Sequence, residues 1–376
     1  MQHKFIKYAA LGAIIASSAV QAGYDRSGQS TAIILADGNT AELVSAKITP
    51  KVTGTYTATA AALGITNGDT TGDVTPSFTS TSFGVRFGIT DTMAVAVTND
   101  SPFGADLDWA KTGKLYTGVK AQMKSSATTV LLSKSMGSAT IYGGLKNQSL
   151  SVTAAVPFVS AYTIDTGEDT TLGYVVGGAF QKPEIALKVA LTYHTKIKHD
   201  YTVTETSTAL GTATSAMSVS TPSSINLDFQ SGIAANTLVF GTIRKANWTE
   251  TEATPASYKT LTAAAGGKSL LEKGTDTTTY SVGLGRKLTD TWSVAATYGY
   301  EKGLNVTGGP LGVTDGFSSY GFGATYNADK LSVTLGVKKI KFGDQNVETV
   351  TAAGTAKATM SSNSSMVTAV KVAYKF

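Results

Sequence analysis

Large apolar residues recur at every second position in short runs along nearly the whole chain. Leu331-Ser-Val-Thr-Leu-Gly-Val337, Trp292-Ser-Val-Ala-Ala-Thr-Tyr-Gly-Tyr300, Tyr280-Ser-Val-Gly-Leu-Gly285, Leu187-Lys-Val-Ala-Leu-Thr-Tyr-His194 and Ile225-Asn-Leu-Asp-Phe-Gln230 all share the pattern. Each run puts large apolar groups on one face and Gly, Ala, Thr, Ser or a charge on the other, which is the period of a β-strand. The final run has Val370, Val372, Tyr374 and Phe376 on one face and Lys371, Ala373 and Lys375 on the other. An amphipathic strand ending on an aromatic residue is expected to close a barrel wall, with lipid on one side and a polar lumen on the other.

The connections between runs alternate in length. Short turns fall at 90–92, 135–137, 182–184, 234–236, 288–290 and 327–329. Long polar stretches fall at 58–76, 102–116, 157–170, 206–222, 250–277, 303–314 and 348–364. In transmembrane barrels the short connections are periplasmic turns and the long ones extracellular loops. Six turns and seven loops predict an all-β, closed antiparallel transmembrane β-barrel of about 14 strands, with both chain ends on the periplasmic side. A β-sandwich also alternates, but its outer face carries ordinary surface charge. Here the face opposite the large apolar groups is mostly Gly, Ala, Ser and Thr, which suits an enclosed lumen.

Composition narrows the picture further. Only 15% of residues are charged and there is no cysteine, so no disulfide framework and no thiol chemistry is available. Lys4 and Lys7 precede the apolar run Ala9–Ala16, and Val20-Gln-Ala22 places small or apolar residues before Gly23. That arrangement predicts a secretory signal peptide over 1–22. Its removal lowers the net charge from +5 to about +3, which gives no reason to expect nucleic acid as a partner. Residues 23–40 then read as an N-terminal hatch segment and 41–376 as the barrel.

Several stretches carry a resemblance: Ala36-Asp-Gly-Asn-Thr-Ala-Glu-Leu43 leading into Ile48-Thr-Pro-Lys-Val-Thr-Gly-Thr55, Asn99-Asp-Ser-Pro-Phe-Gly-Ala-Asp-Leu-Asp-Trp109, and Ile225–Ala234 with Leu238-Val-Phe-Gly-Thr-Ile-Arg244. With them, the chain resembles the FadL/OmpP1/TodX family of outer-membrane transporters for long-chain fatty acids and other hydrophobic compounds. The resemblance implies a hatch folded into the lumen and lateral release of ligand through a gap made by a kinked strand. It also implies an Asn-Pro-Ala motif in the hatch, where this chain has Gly38-Asn39-Thr40-Ala41 without the proline.

Alternation assigns side chains to faces. Arg86, Lys188 and Lys371 are expected inside near the periplasmic end, as a trap for a ligand carboxylate or as anchors for the hatch through Asp25, Asp37 or Glu42. Arg can grip a carboxylate with two hydrogen bonds. His194, Asp228 and Glu301, with Asn226 and Gln230, are expected in a lumenal polar network. Phe103, Leu107 and Trp109 are expected in an extracellular loop, as an apolar landing groove or as that loop's own small core. Arg244 and Lys245 lie on a strand of ambiguous parity, one of them lumenal. Trp248, Trp292, Tyr298 and Tyr326 are expected in the interfacial aromatic girdle.

No metal-ligand spacing, phosphate-cradling glycine loop or nucleophile elbow is present, so no cofactor, metal site or catalytic residue is expected. His199-Asp200 is the strongest hint of a rim hydrolase, and adjacent strand residues face opposite sides. The expected protein is a monomer in the bacterial outer membrane that takes up hydrophobic small molecules by diffusion, long-chain fatty acids foremost, with outer-membrane lipid around it. A general porin and a plugged, surface-adhesive barrel are the alternatives.

Overall fold

The computed structural model describes residues 24–109, 114–272 and 274–376. The expected signal peptide, 1–22, and Gly23 lie outside the described residues. Fourteen strands close into one antiparallel barrel. They are β1 Thr40–Lys51, β2 Phe78–Gly88, β3 Met93–Asp100 continued by Gly104–Asp108, β4 Lys120–Met136, β5 Ala139–Val156, β6 Tyr162–Lys182 and β7 Leu187–His194 continued by Ile197–Ser207. The wall goes on through β8 Gly211–Thr221 with Ser224–Ala234, β9 Thr237–Ala246, β10 Thr277–Lys287, β11 Trp292–Glu301, β12 Asp315–Ala328, β13 Leu331–Gly343 and β14 Ser364–Lys375. The seam is β14 on β1, in unbroken register from Thr40↔Lys375 to Lys51↔Ser364. Closure pairs every strand with a neighbour on each side over part of its length, which is what lets strands live in lipid.

The alternation sorts as expected. Large apolar side chains such as Phe83, Ile141, Val176, Leu191, Val282 and Leu335 are exposed on the outside, Leu335 at 62%. A water-soluble protein would not display such a belt, and hydrocarbon requires it. Trp292 and Tyr326 pack at 5.1 Å and Tyr298 and Tyr320 at 5.2 Å on this outer face, as girdle residues. Trp248 does not join them. It is buried at the loop end, where Tyr24 and Phe103 pack on it.

All six short turns form where expected. Several need a residue at positive φ, supplied by Gly137, Ala186, Asn236 and Asp329. The loop end differs from expectation in three places. Gly104–Asp108, within the expected loop 102–116, continues β3 and pairs with β4. Residues 157–170 are not a long loop, because β6 begins at Tyr162 after a tight turn. Most of 206–222 is likewise strand, an upward continuation of β7 and β8 paired from Ile197↔Thr221 to Ser207↔Gly211. The last two segments are rich in Thr and Ser because their outer faces stand above the membrane, so polarity there marks water and not a loop.

The loops cap the mouth with two hydrophobic clusters. One gathers Tyr56, Trp109, Tyr116, Ile340 and Met360, under a small sheet of Gly54–Tyr56, Gln345–Thr351 and Gly354–Met360. The other gathers Phe103, Tyr162, Tyr201, Trp248 and Tyr258. Among the described residues no helix is long and apolar enough to cross a membrane.

Candidate functional site

The ladder between β2 and β3 is incomplete. It runs from Gly88↔Ala94 up to Phe83↔Asn99 and stops there. Above that point Phe78–Ser82 pairs only with β1, and Gly104–Asp108 only with β4. Ser101-Pro102-Phe103 is where β3 bends away. Proline lacks the N–H that a ladder needs, so a break at Pro102 is chemically natural. The top of the gap is bounded by the Asp108 N–H donating to the Val74 carbonyl at 2.9 Å.

The N-terminal segment takes up the unpaired edge from inside. Arg26 N–H donates to the Pro102 carbonyl and Gly104 N–H to the Tyr24 carbonyl, both at 2.8 Å, flanking an antiparallel bridge of Asp25 with Phe103. The Arg26 guanidinium lies 3.6 Å from the ring centroid of Phe78, a cation–π contact across the gap. Burial pushes the Arg26 guanidinium down to about 10, with Asp106 opposing the shift, so it stays cationic at neutral pH. A Cβ at residue 104 would stand 2.8 Å from Arg26 Nε, so glycine at that position is what lets the side chain pass.

From there the segment descends the lumen along a run of anchors. Asp25 accepts from Arg244 Nε at 2.6 Å, and Arg244 also donates to Ser224 and Asn226 at 2.8 Å each. Ser27 hydrogen-bonds Asp100, the Gly28 carbonyl accepts from Asn226 at 2.8 Å, and Gln29 accepts from Lys146. The 3-10 turn Ala32–Leu35 buries Ile33, Ile34 and Leu35 against small wall residues Ala94, Ala96, Ala179 and Ala190, with Leu131, Tyr142 and Val175. Gly84 belongs to the same seat, since a Cβ there would stand 2.7 Å from Ile33 Cδ1. Burying a large aliphatic side chain is worth about 1.5–3 kcal/mol, against about 1 kcal/mol net for a neutral hydrogen bond. The apolar turn and the anchors with a charged partner, worth about 1.5–3 kcal/mol each, therefore both contribute to the seating, and the polar contacts set its position.

The expected trap residues meet this segment. Arg86 donates through Nε to the Ile34 carbonyl at 3.2 Å and through a terminal nitrogen to the Gly38 carbonyl at 2.6 Å. Lys188 donates to the Leu35 carbonyl at 3.0 Å. These two converge on one turn of chain. Lys371 stands apart, paired with Glu42 at 2.7 Å. Of the expected polar network, His194 touches Lys146 at 3.2 Å, Asp228 accepts from Thr242 at 2.7 Å and Glu301 accepts from Thr279 at 2.6 Å. Each has its own partners. Phe103, Leu107 and Trp109 are buried, Trp109 at 1% exposure: Phe103 at the bend of β3 joins the Trp248 cluster, while Leu107 on the upper run of β3 and Trp109 just past it join the Tyr116 cluster. His199 and Asp200 part as their adjacency requires: His199 points inward to Asp169 at 3.0 Å, while Asp200 points outward to Lys198.

Sequence reasoning left Lys146, Gln29, Ser27 and Asp100 out of the site. Lys146 was findable, because Leu145 faces out and parity turns its neighbour in. Of the ambiguous pair, Arg244 is lumenal and buried, and the Lys245 side chain is 57% exposed outside.

Two cavities flank the Arg26–Phe78 contact. A cavity of about 680 Å³ runs below it along the lumen, lined among others by Ile33, Phe240, Phe317, Ile340, Lys188 and Lys371. A smaller one of about 230 Å³ lies above, beneath the loops, lined by Tyr24, Leu107, Val313 and Phe342. Arg26 and Phe78 border both. The two cavities thus meet at one side chain, beside a gap in the wall.

No protein-family model matches the chain, and no curated protein matches it. Solved structures do. A Pseudomonas aeruginosa FadL homologue superimposes with a TM-score of 0.72 at 15% identity, over 92% of each chain. The Pseudomonas putida toluene transporter TodX gives 0.61 at 13% identity over 90% of each chain. The Ralstonia pickettii toluene transporter TbuX gives 0.63 at 9% identity, over 98% of this chain and 99% of that one. The chain thus has the barrel fold of the FadL homologue and of the two toluene transporters.

Proposed function

We propose that this protein is an outer-membrane barrel for the passive uptake of hydrophobic small molecules, with long-chain fatty acids as its first cargo. The observation that carries the reading is the gap between Phe78–Ser82 and Pro102–Leu107. There the wall lacks its ladder, and a lumenal segment and two cavities adjoin the opening. A polar solute gains nothing from a path that opens toward hydrocarbon, whereas an apolar one leaves down its own solvation gradient.

Cargo enters beneath the loops and reaches the upper cavity. Displacement of Arg26 admits it to the lower one. A carboxylate there competes for Arg86 and Lys188, whose hydrogen bonds go to carbonyls of the N-terminal segment and which also attract Asp37 of that segment. Those bonds already have a charged donor; a carboxylate adds a full opposite charge and offers Arg86 a two-bond grip that a carbonyl cannot, so a fatty-acid headgroup competes with the carbonyls and loosens the hatch. The protein acts as a monomer after cleavage of residues 1–22. Toluene transport is the activity named for two structures of the same fold, which makes monoaromatic compounds the second cargo class to assay.

The test is purification from outer membranes in mild detergent, lipid extraction and mass spectrometry, alongside planar-bilayer recording. Co-purified fatty acid, lost in an Arg86→Ala/Lys188→Ala variant that still inserts, is the expected result. An empty lumen with steady ion conductance would identify a porin and overturn the uptake reading. An empty lumen without conductance would leave the adhesive barrel.

A further inference from the structure

Four lysines cluster on the outside of the barrel at its seam, at the loop end. Lys47 and Lys51 are on β1, and Lys339 and Lys341 on β13, with β14 between them. All four are exposed. Register fixes their spacing: Lys51, Ser364 and Lys341 form one transverse row across the three strands. Lys339 and Thr49 flank Met366 in the row two residues below, and Lys47 lies two residues lower again, level with Thr368 and Val337. With strands about 4.8 Å apart, Lys51 and Lys341 are about 10 Å apart across the sheet, and Lys339 and Lys341 about 7 Å apart along it.

The patch overlaps the top of the apolar belt of the same strands, with Met366 level with Lys339 and Val337 level with Lys47. Below it, β13 shows Leu331 and Leu335 to the outside, and β14 shows Val370, Val372 and Tyr374. A lysine facing mid-bilayer costs about 2–4 kcal/mol and near the interface almost nothing, so this height is where four outward lysines are tolerated. Their stems lie along apolar surface and their ammonium groups reach headgroup level.

The outward positions of β13, β14 and β1 carry no carboxylate; the one acidic residue on these strands, Glu42, faces inward to Lys371. Exposed Asp344, just past β13, accepts the Ser362 N–H at 3.3 Å. Among the described residues, none of the four lysines has a carboxylate within 4.0 Å, and Lys339 donates only to the neutral Ser364 hydroxyl at 2.8 Å. Around the same end of the barrel, Lys120, Lys196, Lys198 and Lys245 each sit within 4.0 Å of a carboxylate, Asp108, Glu250, Asp200 and Asp276 respectively. Unneutralised cations grouped at headgroup height on a lipid-facing wall complement anionic headgroups.

We infer that Lys47, Lys51, Lys339 and Lys341 form a binding site for the phosphate groups of lipids in the outer, loop-side leaflet, placed over the β14–β1 seam. The inference rests on the reading of the barrel as membrane-inserted. A bound headgroup bridges β13 to β1 from outside and clamps the closing strand.

The test reconstitutes the full chain into phosphatidylcholine nanodiscs containing a minority of bis-phosphorylated lipid A, and counts retained lipid by native mass spectrometry. It compares wild type with a Lys47→Gln/Lys51→Gln/Lys339→Gln/Lys341→Gln variant and with a control carrying Lys120→Gln/Lys196→Gln/Lys198→Gln/Lys245→Gln. Heat-modifiable migration on gels verifies each barrel. A lysine near an anionic surface is worth about fivefold in affinity, so the patch variant should lose on the order of a hundredfold or more while the control keeps most of it. Equal retention in wild type and patch variant would overturn the site. Release by millimolar inorganic phosphate would make it a free-phosphate site and overturn the lipid assignment. A wild-type chain that never becomes heat-modifiable or membrane-inserted would remove the reading beneath it, an outcome seen in the gel before any lipid is counted.

Discussion

Arg244 on β9 donates to Asp25 of the N-terminal segment at 2.6 Å, with the two side chains only 3% and 2% exposed. The pair ties the start of the segment to the far wall. Removing one member of a buried pair costs about 3–5 kcal/mol, because the other charge is left without compensation. Arg244→Ala should therefore unseat residues 24–30 while the fourteen-strand ladder, which does not use this pair, stays closed. We expect protease access to the segment and a new ion conductance, with heat-modifiable migration unchanged. Asp25→Asn/Arg244→Met, which removes both charges, should restore much of the seating. An Arg244→Ala barrel as silent in bilayers as wild type would show that the pair does not hold the segment.

Arg26 separates two cavities by lying over Phe78. Arg26→Ala should join them and raise the rate at which a fluorescent fatty acid crosses proteoliposome membranes. Gly104→Ala should act the same way through strain, since the new methyl stands 2.8 Å from Arg26 Nε. Agreement between the two, one deleting the side chain and one pushing it, would place the barrier at this contact. A slower rate in both would refute it.

Arg86 and Lys188 together make three hydrogen bonds to carbonyls of residues 34–38. Each is worth about 0.5–3 kcal/mol, the upper end being typical when the donor is charged. Arg86→Ala/Lys188→Ala should lower the melting temperature of the segment, followed by a probe at Ala36, and abolish fatty-acid retention. Retention of toluene, which has no carboxylate, should survive. Loss of both ligands alike would mean that these cations serve seating alone.

Loop closure should depend on pH through Asp69. The Thr66 N–H holds its carboxyl below the usual carboxylate value against an opposing effect of burial, and Lys114 at 3.3 Å adds to the lowering. A carboxyl held lower in the folded state stabilises above its unfolded pKa, and the stabilisation is lost as pH falls through the folded value. Proteolysis of 52–77 should be flat from neutral pH down to the carboxylate range and rise below it. Asp69→Asn should show the raised rate throughout.

Legibility followed the physics of each feature. The strands and six turns were readable because the pleat forces strict alternation and turns demand special φ values, as at Asn236 and Asp329. The height of the strands was not, because Thr and Ser fill both extramembrane strand and loop, which hid the upward runs of β7 and β8. Arg86, Lys188 and Lys371 were placed correctly by parity, but their partners were not legible, since backbone carbonyls leave no mark in a sequence. Arg244 was obscured by Leu238 and Phe240, apolar residues that face inward and blur the period. Trp248 read as girdle because an indole at a strand end looks the same from sequence whether it meets lipid or Tyr24.

The polar anchors of residues 25–38 all lie between β2 and β9, while β10–β14 supply open cavity wall such as Thr279, Ser319, Lys338 and Ala373. The anchors of the segment are thus confined to one arc of the wall, although both arcs line the cavity, Lys188 and Phe240 as well as Phe317 and Ile340. On the proposed uptake reading, a substitution on β10–β14 reshapes the cavity without touching an anchor of the segment, so cargo range can shift while residues 25–38 stay seated.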